Sequence, residues 1–166
     1  VIQQLVMDAG AHEVDQDLVV VEPQGLEVAA DWRTLQSPET YVGYGQSSGF
    51  ASEREAAFDQ SHAYALPPLR LNQWGLAGTW TVARHAGVLN EPNGRIAFRF
   101  HARDVNLVMG PTSREASVPF KVFLDGQPAG DASGVDVDAS GRGTVDAQRT
   151  YQLIRQSGPI SERLFE

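Results

Sequence analysis

Between residues 94 and 111 the chain reads G-R-I-A-F-R-F-H-A-R-D-V-N-L-V-M-G-P, and apolar and polar positions alternate along it. Ile96, Phe98, Phe100 and Ala102 fall on one side of an extended chain, with Ala97, Arg99, His101 and Arg103 on the other. That is the period-two pattern of a half-buried strand. At Arg103-Asp104 the phase slips by one residue, and Val105, Leu107 and Met109 carry the apolar side from there. Such a slip sends later side chains to the opposite face unless a bulge, bend or turn absorbs it. The pattern predicts two strands at a tight corner or one long strand with a bulge, both devices of a β-sandwich.

Other stretches extend the same picture. Val118, Phe120, Val122 and Leu124 are again in phase, and Asp125-Gly126 then reads as a hairpin turn. Residues 134–138, 143–146 and 150–155 are short strand candidates, with Ala139-Ser140-Gly141 a turn between the first two. Upstream, residues 71–90 place Trp80 and Val82 on one face and Thr79, Thr81 and Ala83 on the other, before a turn at Glu91-Pro92-Asn93-Gly94. Leu66-Pro67-Pro68-Leu69 reads as extended, since each proline restricts its neighbour and removes a ladder donor. Residues 46–62 show no clean period and read as a long surface loop. Near the start, Ile2, Leu5 and Val6 stand at helical spacing ahead of Gly10, a plausible helix stop. Residues 18–21 form a β-branched run before a Pro-Gln-Gly turn. The fold class expected is all-β, a jelly-roll-like antiparallel β-sandwich with a short N-terminal helix.

Composition narrows the partners. The chain has 166 residues, enough for one domain with a short appendage. Twenty-one acidic residues against 13 basic ones leave a net charge of −8, and the basic residues are scattered. A nucleic-acid binder replaces phosphate counterions with a positive patch, so nucleic acid is disfavoured, as is an anionic membrane surface. No run approaches the roughly 18 apolar residues of a membrane span. With no cysteine the chain carries no thiol chemistry, disulfide or thiolate metal site of its own. The four histidines show no zinc spacing, G-x-S-x-G is absent, and no phosphate-cradling glycine loop opens a helix. The expectation is a non-enzyme without cofactor or metal.

Several segments together resemble one family. They are Pro38-Glu39-Thr40-Tyr41-x-Gly43-Tyr44, Leu71-Asn72-x-Trp74-x-Leu76-x-Gly78-x-Trp80-Thr81 and the run from Phe100 through Pro111. Leu124-Asp125-Gly126, residues 134–138 with Gly141-x-Gly143, and Tyr151-Gln152-Leu153-Ile154-Arg155 join them. Over residues 37–166 the chain resembles the C-terminal domain of DipZ-type thiol–disulfide interchange proteins, bacterial relatives of the DsbD and CcdA systems. The resemblance implies a sandwich similar to carbohydrate-binding modules, placed after a thioredoxin-like domain outside the cytoplasmic membrane, in the bacterial cell envelope. On that basis residues 1–11 correspond to the last helix of the preceding thioredoxin-like domain and residues 12–36 to a linker and first strand. Residues 37–166 are then the sandwich, with strand sequence expected beyond Arg163-Leu164-Phe165-Glu166 and an open sheet edge there for another segment or chain to cover.

Candidate ligand-binding residues follow from sugar chemistry, in which aromatic rings meet pyranose CH faces and amides and guanidinium groups ring the hydroxyls. Trp74 sits beside Asn72 and Gln73 in a glycine-rich segment, as an exposed platform or a core residue; Trp80 reads as core and Trp32 as packed under the linker. Tyr44 is a rim residue or a loop anchor. Arg99 and His101 are groove donors if their strand face is concave, and an ordinary solvated face otherwise. Asp136 and Asp138 stand ahead of Gly141 but lack the third oxygen ligand and closing Glu of a calcium loop. Two functions stay open: a glycan- or peptidoglycan-binding module, or an interaction module that docks on the thioredoxin-like domain or a partner chain. An open aromatic platform marks the first and a filled one the second.

Overall fold

The alternation through Phe100 does what its phase slip demands, because the chain bends after it and changes sheets. The computed structural model describes residues 22–52 and 56–166. β1 spans Ser61–Tyr64, β2 Trp74–Val82, β3 Gly87–Leu89, β4 Arg95–Phe100, β5 Asp104–Met109 and β6 Val118–Lys121. β7 spans Phe123–Leu124, β8 Gln127–Pro128, β9 Arg142–Val145, β10 Arg149–Arg155 and β11 Arg163–Phe165. A seven-stranded sheet runs β1-β2-β4-β11-β7-β8, with β3 also paired to β2. β5 pairs antiparallel with β10, and β6 with β9. β4 therefore belongs to the large sheet and β5 to a second one, with a bend at Ala102-Arg103 between them. This is the two-strand corner.

The sheets close over a shared interior. Phe100, Leu124 and Phe165 from the large sheet meet Val105, Tyr151, Leu153 and Ile154 from the β5–β10 pair and Val145 from β9. A second cluster gathers Tyr64, Trp74, Leu76, Trp80 and Val82, with Ile96 packed on it and Phe98 touching both clusters. The architecture is an all-β sandwich. β10 breaks the alternation, since Tyr151, Gln152, Leu153 and Ile154 are all buried. Its register against β5 shifts between Gln152 and Ile154, and that bulge admits both Leu153 and Ile154 to the core.

Tyr151 also ties down the turn before its own strand. Its ring is fully enclosed, while its hydroxyl accepts the N–H groups of Asp146 and Ala147 at 3.1 and 3.2 Å and lies 2.8 Å from the Ala147 carbonyl. Tyr151→Phe keeps the ring and strips these partners. A loss of about 1–3 kcal/mol in a urea titration is expected; an unchanged midpoint overturns this account of the turn.

Several expectations change. Residues 118–124 divide, because Val118 sits on β6 with 40 % of its surface exposed while Val122 and Leu124 are buried where the chain joins the large sheet. The Val122 N–H donates to Gly141 O at 2.6 Å and the Phe123 N–H to Glu166 O at 2.8 Å, so adjacent residues are held by different elements. Residues 134–138 form a turn closed by Val137 N–H on Gly134 O, not a strand. The backbone of Gly134 lies so close to the Gln152 carbonyl that no Cβ fits there. β11 is no open edge: it pairs with β4 on one side and β7 on the other. Trp32 is 77 % exposed instead of packed. The helix expected over residues 1–11 and the strand over 18–21 lie outside the described residues.

Candidate functional site

The five sequence candidates divide between two places. Trp74 and Tyr44 line one cavity of about 150 Å³, together with Phe50, Phe58, Val82 and the segment from Ser47 to Gly49. The loop of residues 47–51 is stitched to the start of β2: Trp74 N–H donates to Gly49 O and Ala51 N–H to Trp74 O, at 3.0 and 2.8 Å. Gly49, at φ +73°, lets the loop backbone approach the Asn72 carbonyl. Phe50 is thereby laid on the Trp74 indole, with ring centroids 4.3 Å apart, and the indole N–H reaches Ser47 Oγ and the Ser48 carbonyl.

Trp74 is 1 % exposed, so it offers no open face to a pyranose. A platform needs that face bare, and Phe50 occupies it. Tyr44 packs on Phe58 and donates its hydroxyl to Asp59 at 2.8 Å, the hydrogen bond that raises the phenol above its ordinary pKa. It anchors a loop.

Asn72, Arg99 and His101 gather around Ser37. The Ser37 hydroxyl accepts the His101 backbone N–H at 2.7 Å and donates to Asn72 Oδ1 at 2.6 Å, while Asn72 Nδ2 donates to Gln36 O. Asn72 N–H donates to Arg99 O, and Gln36 N–H to His101 O. His101 thus acts through its backbone. Asn72 adopts φ +65°, a turn conformation that asparagine tolerates better than most residues. The Arg99 guanidinium faces Glu162 at 3.3 Å, but its Nε is enclosed without a partner among the described residues.

The β4 face that carries Arg99 is covered at its middle, while Arg95 and Arg99 to either side stay partly exposed. Ala97 is wholly buried there. Beside it, a Cβ added to Gly75 would stand 2.9 Å from Leu66 Cδ1 and 3.6 Å from Pro67 Cδ, so the Leu66-Pro67 segment overlies this part of the sheet.

The Asp136/Asp138 pair is consumed internally. Asp136 pairs with Arg149 at 2.8 Å and accepts the Gln152 N–H. Asp138 caps its turn by accepting the N–H groups of Arg142 and Ser140 and the Ser140 hydroxyl, which hold its carboxyl below the ordinary value. Among the described residues no cluster of histidine and carboxylate groups is arranged to hold a metal.

One arrangement has no counterpart in sequence reasoning. Asp104, first residue of β5, bridges Arg155 through Oδ1 at 2.7 Å and Arg103 through Oδ2 at 2.7 Å. Each arginine reaches on to the segment that enters the sandwich: Arg155 donates to Gly25 O and Arg103 to Ala29 O, both at 2.9 Å. Charge-assisted bonds of this kind are the stronger class of hydrogen bond. The entering segment is thus fastened at Gly25, at Ala29 and at Gln36.

A family model described as thioredoxin like C-terminal domain matches residues 37–166. Two curated relatives, the "Protein DipZ" of Mycobacterium bovis and that of Mycobacterium tuberculosis, are each 30 % identical to the chain over 99 residues. The matched stretch is 58 % of this chain but 13 % of either relative, so the chain spans a small fraction of their length.

Proposed function

The chain belongs to the thioredoxin-like C-terminal domain family, and from that premise we propose that it is a non-catalytic module of an extracytoplasmic thiol–disulfide interchange protein. Its work is to hold a neighbouring thioredoxin-like domain at a set orientation. With no cysteine in the sequence, thiol exchange must be carried elsewhere. The observation that carries the reading is the Arg103–Asp104–Arg155 corner, which clamps residues 25–29 to the sandwich. Domains joined by a free linker move relative to one another by default, and a clamped linker removes part of that freedom.

Exposed apolar groups accompany the clamp. Leu26 and Trp32 lie on the fastened segment, 49 % and 77 % exposed, and Val135, whose side chain packs beside Gly25, is 65 % exposed. Large apolar side chains left bare on a fixed segment suit a docked neighbour. Sugar recognition by Trp74, Tyr44, Asn72, Arg99 and His101 is the weaker reading, since the Trp74 and Tyr44 rings are taken up by Phe50 and Phe58.

The test uses a protein in which a thioredoxin-like domain and this module are joined. Deleting residues 37–166 is expected to leave reduction of a small disulfide intact and to change the rate on folded protein substrates several-fold. Equal rates on both substrate types, with and without the module, sink the proposal.

A further inference from the structure

The smaller β5–β10 sheet ends at β5. It has two strands, so among the described residues β5 has a strand neighbour on one side only. The far side of β10 is taken by residues 133–136, where Gly134 N–H donates to Leu153 O and Asp136 N–H to Gln152 O. Along an antiparallel strand, hydrogen-bonded and non-hydrogen-bonded positions alternate. Two contacts set that alternation in β5. Gln156 N–H donates to Arg103 O at 2.8 Å, and Gln152, opposite Asn106, gives its N–H to Asp136 Oδ2 and not to β5. Val105, Leu107 and Met109 therefore turn their backbone groups toward β10, and Asn106 and Val108 turn theirs outward. Both outward residues are exposed, Val108 at 66 %.

Other sheet margins carry devices that block further pairing. β8 ends on Pro128, and β6 contains Pro119 and Lys121. Residues 105–109 read V-N-L-V-M, with no proline and no charge, and the bulge beside them belongs to β10. An extended edge left in this state is a template for another strand.

The edge complements its own copy. With a two-fold axis at Leu107, Asn106 of one copy stands opposite Val108 of the other, and each such pair exchanges both N–H···O bonds. The outward groups of both residues are then satisfied. On the core side, Leu107 meets its counterpart across the axis and Val105 meets Met109, and Leu107 and Met109 are only partly buried within one copy. Charge permits the approach, because Asp104 is held between Arg103 and Arg155, and residues 37–166 contain 14 acidic against 12 basic residues. Most of the −8 thus lies in the first 36 residues. The entering segment leaves this edge clear: it is fastened to Arg155, Arg103 and His101, all at the Asp104 end of β5.

We propose that two copies of the chain pair through β5, antiparallel and centred on Leu107, so that their β5–β10 sheets join into one of four strands. Such an interface is isologous. Five residues from each side bury less than the roughly 1,000 Å² of a stable interface, so the dimer is weak, with a dissociation constant on the order of 100 μM. Pairing uses none of the clamp residues, so either proposal can fail while the other stands.

The test is sedimentation equilibrium of the 166-residue chain from about 10 μM to about 1 mM, which brackets that constant. A reversible monomer–dimer equilibrium is expected. Amide exchange at Asn106 and Val108 should slow as concentration rises, while Leu107, bonded to β10, is protected throughout. Val108→Pro removes an outward donor that the single copy does not use and is expected to weaken pairing about tenfold or more without moving the melting temperature of the dilute chain. Val108→Lys keeps the donor at an exposed position, so its fold is secure, and is expected to weaken pairing several-fold. Leu107→Cys in this cysteine-free chain should form an intermolecular disulfide on mild oxidation, since the non-hydrogen-bonded pair sets the Cα atoms about 4.5 Å apart, inside the range a disulfide spans. Val88→Cys, 43 % exposed in the parent, serves as the control and should cross-link far more slowly. A chain monomeric at the highest concentration, pairing as tight as the parent's in either Val108 variant, or equal cross-linking at 107 and 88 each overturns the assignment.

Discussion

Trp74→Ala is expected to lower stability by about 3–5 kcal/mol, the cost of emptying a tryptophan-sized space in a core that cannot fully collapse. The residue is 1 % exposed, stacked on Phe50, and holds the 47–51 loop through its indole N–H. Domains of this size have total stabilities of about 5–15 kcal/mol, so the variant loses a large share of its margin. A melting temperature lower by roughly 10 °C or more follows from the size scaling. Trp74→Phe separates the causes: it keeps much of the apolar volume and loses the indole hydrogen bonds, at about 1–2 kcal/mol plus a smaller packing loss. Circular-dichroism melts of both variants provide the check. If Trp74→Ala melts within a degree or two of the parent, the ring is accessible and the platform reading returns. Any ligand lost by this variant would otherwise report unfolding, not removal of a contact.

The corner at Arg103-Asp104 is legible in the sequence because period two needs only neighbouring residues, and a slip of one position has few physical remedies. Strands β4 and β5 are legible for the same reason, and β9 and β10 from the turn signals that bound them. The fate of Trp74 is not local. Its burial depends on Phe50 and on Ser47, 27 positions away, in a stretch with no period of its own. Arg99 and His101 alternate like any solvated face, and nothing in that alternation announces that Leu66-Pro67 will cover the neighbouring part of it or that Ser37 will bind the His101 backbone. The split of residues 118–124 is equally hidden, since an in-phase run says which side is apolar but not which strand lies alongside. Gln156 carries no signal at all: one polar residue after a strand reads as an ordinary exit, and only its two carbonyl acceptors, 54 and 5 positions away, give it a role.

Asp104→Ala should release the entering segment and destabilise the sandwich together, by about 2–4 kcal/mol. The carboxylate accepts from Arg103 Nε and a terminal nitrogen of the same guanidinium through one oxygen, and from Arg155 Nε through the other. The side chains of Asp104, Arg103 and Arg155 are 17 %, 21 % and 26 % exposed, so water screens the pairs only in part. Removing the anion leaves two cations side by side, and breaking a fully buried pair costs about 3–5 kcal/mol; partial exposure sets this site somewhat lower. The guanidinium groups then lose the partner that aims them at Gly25 O and Ala29 O. Amide exchange over residues 25–36 is accordingly expected to accelerate more than exchange in β10, where Leu153 and Ile154 remain packed in the core. Asp104→Asn keeps one oxygen acceptor and should fall between the two. A double-mutant cycle with Arg155→Met isolates the pair, and a coupling energy near zero contradicts the clamp. The exchange data also separate two roles: if residues 25–36 stay protected while the core weakens, Asp104 braces the corner and something else fastens that segment.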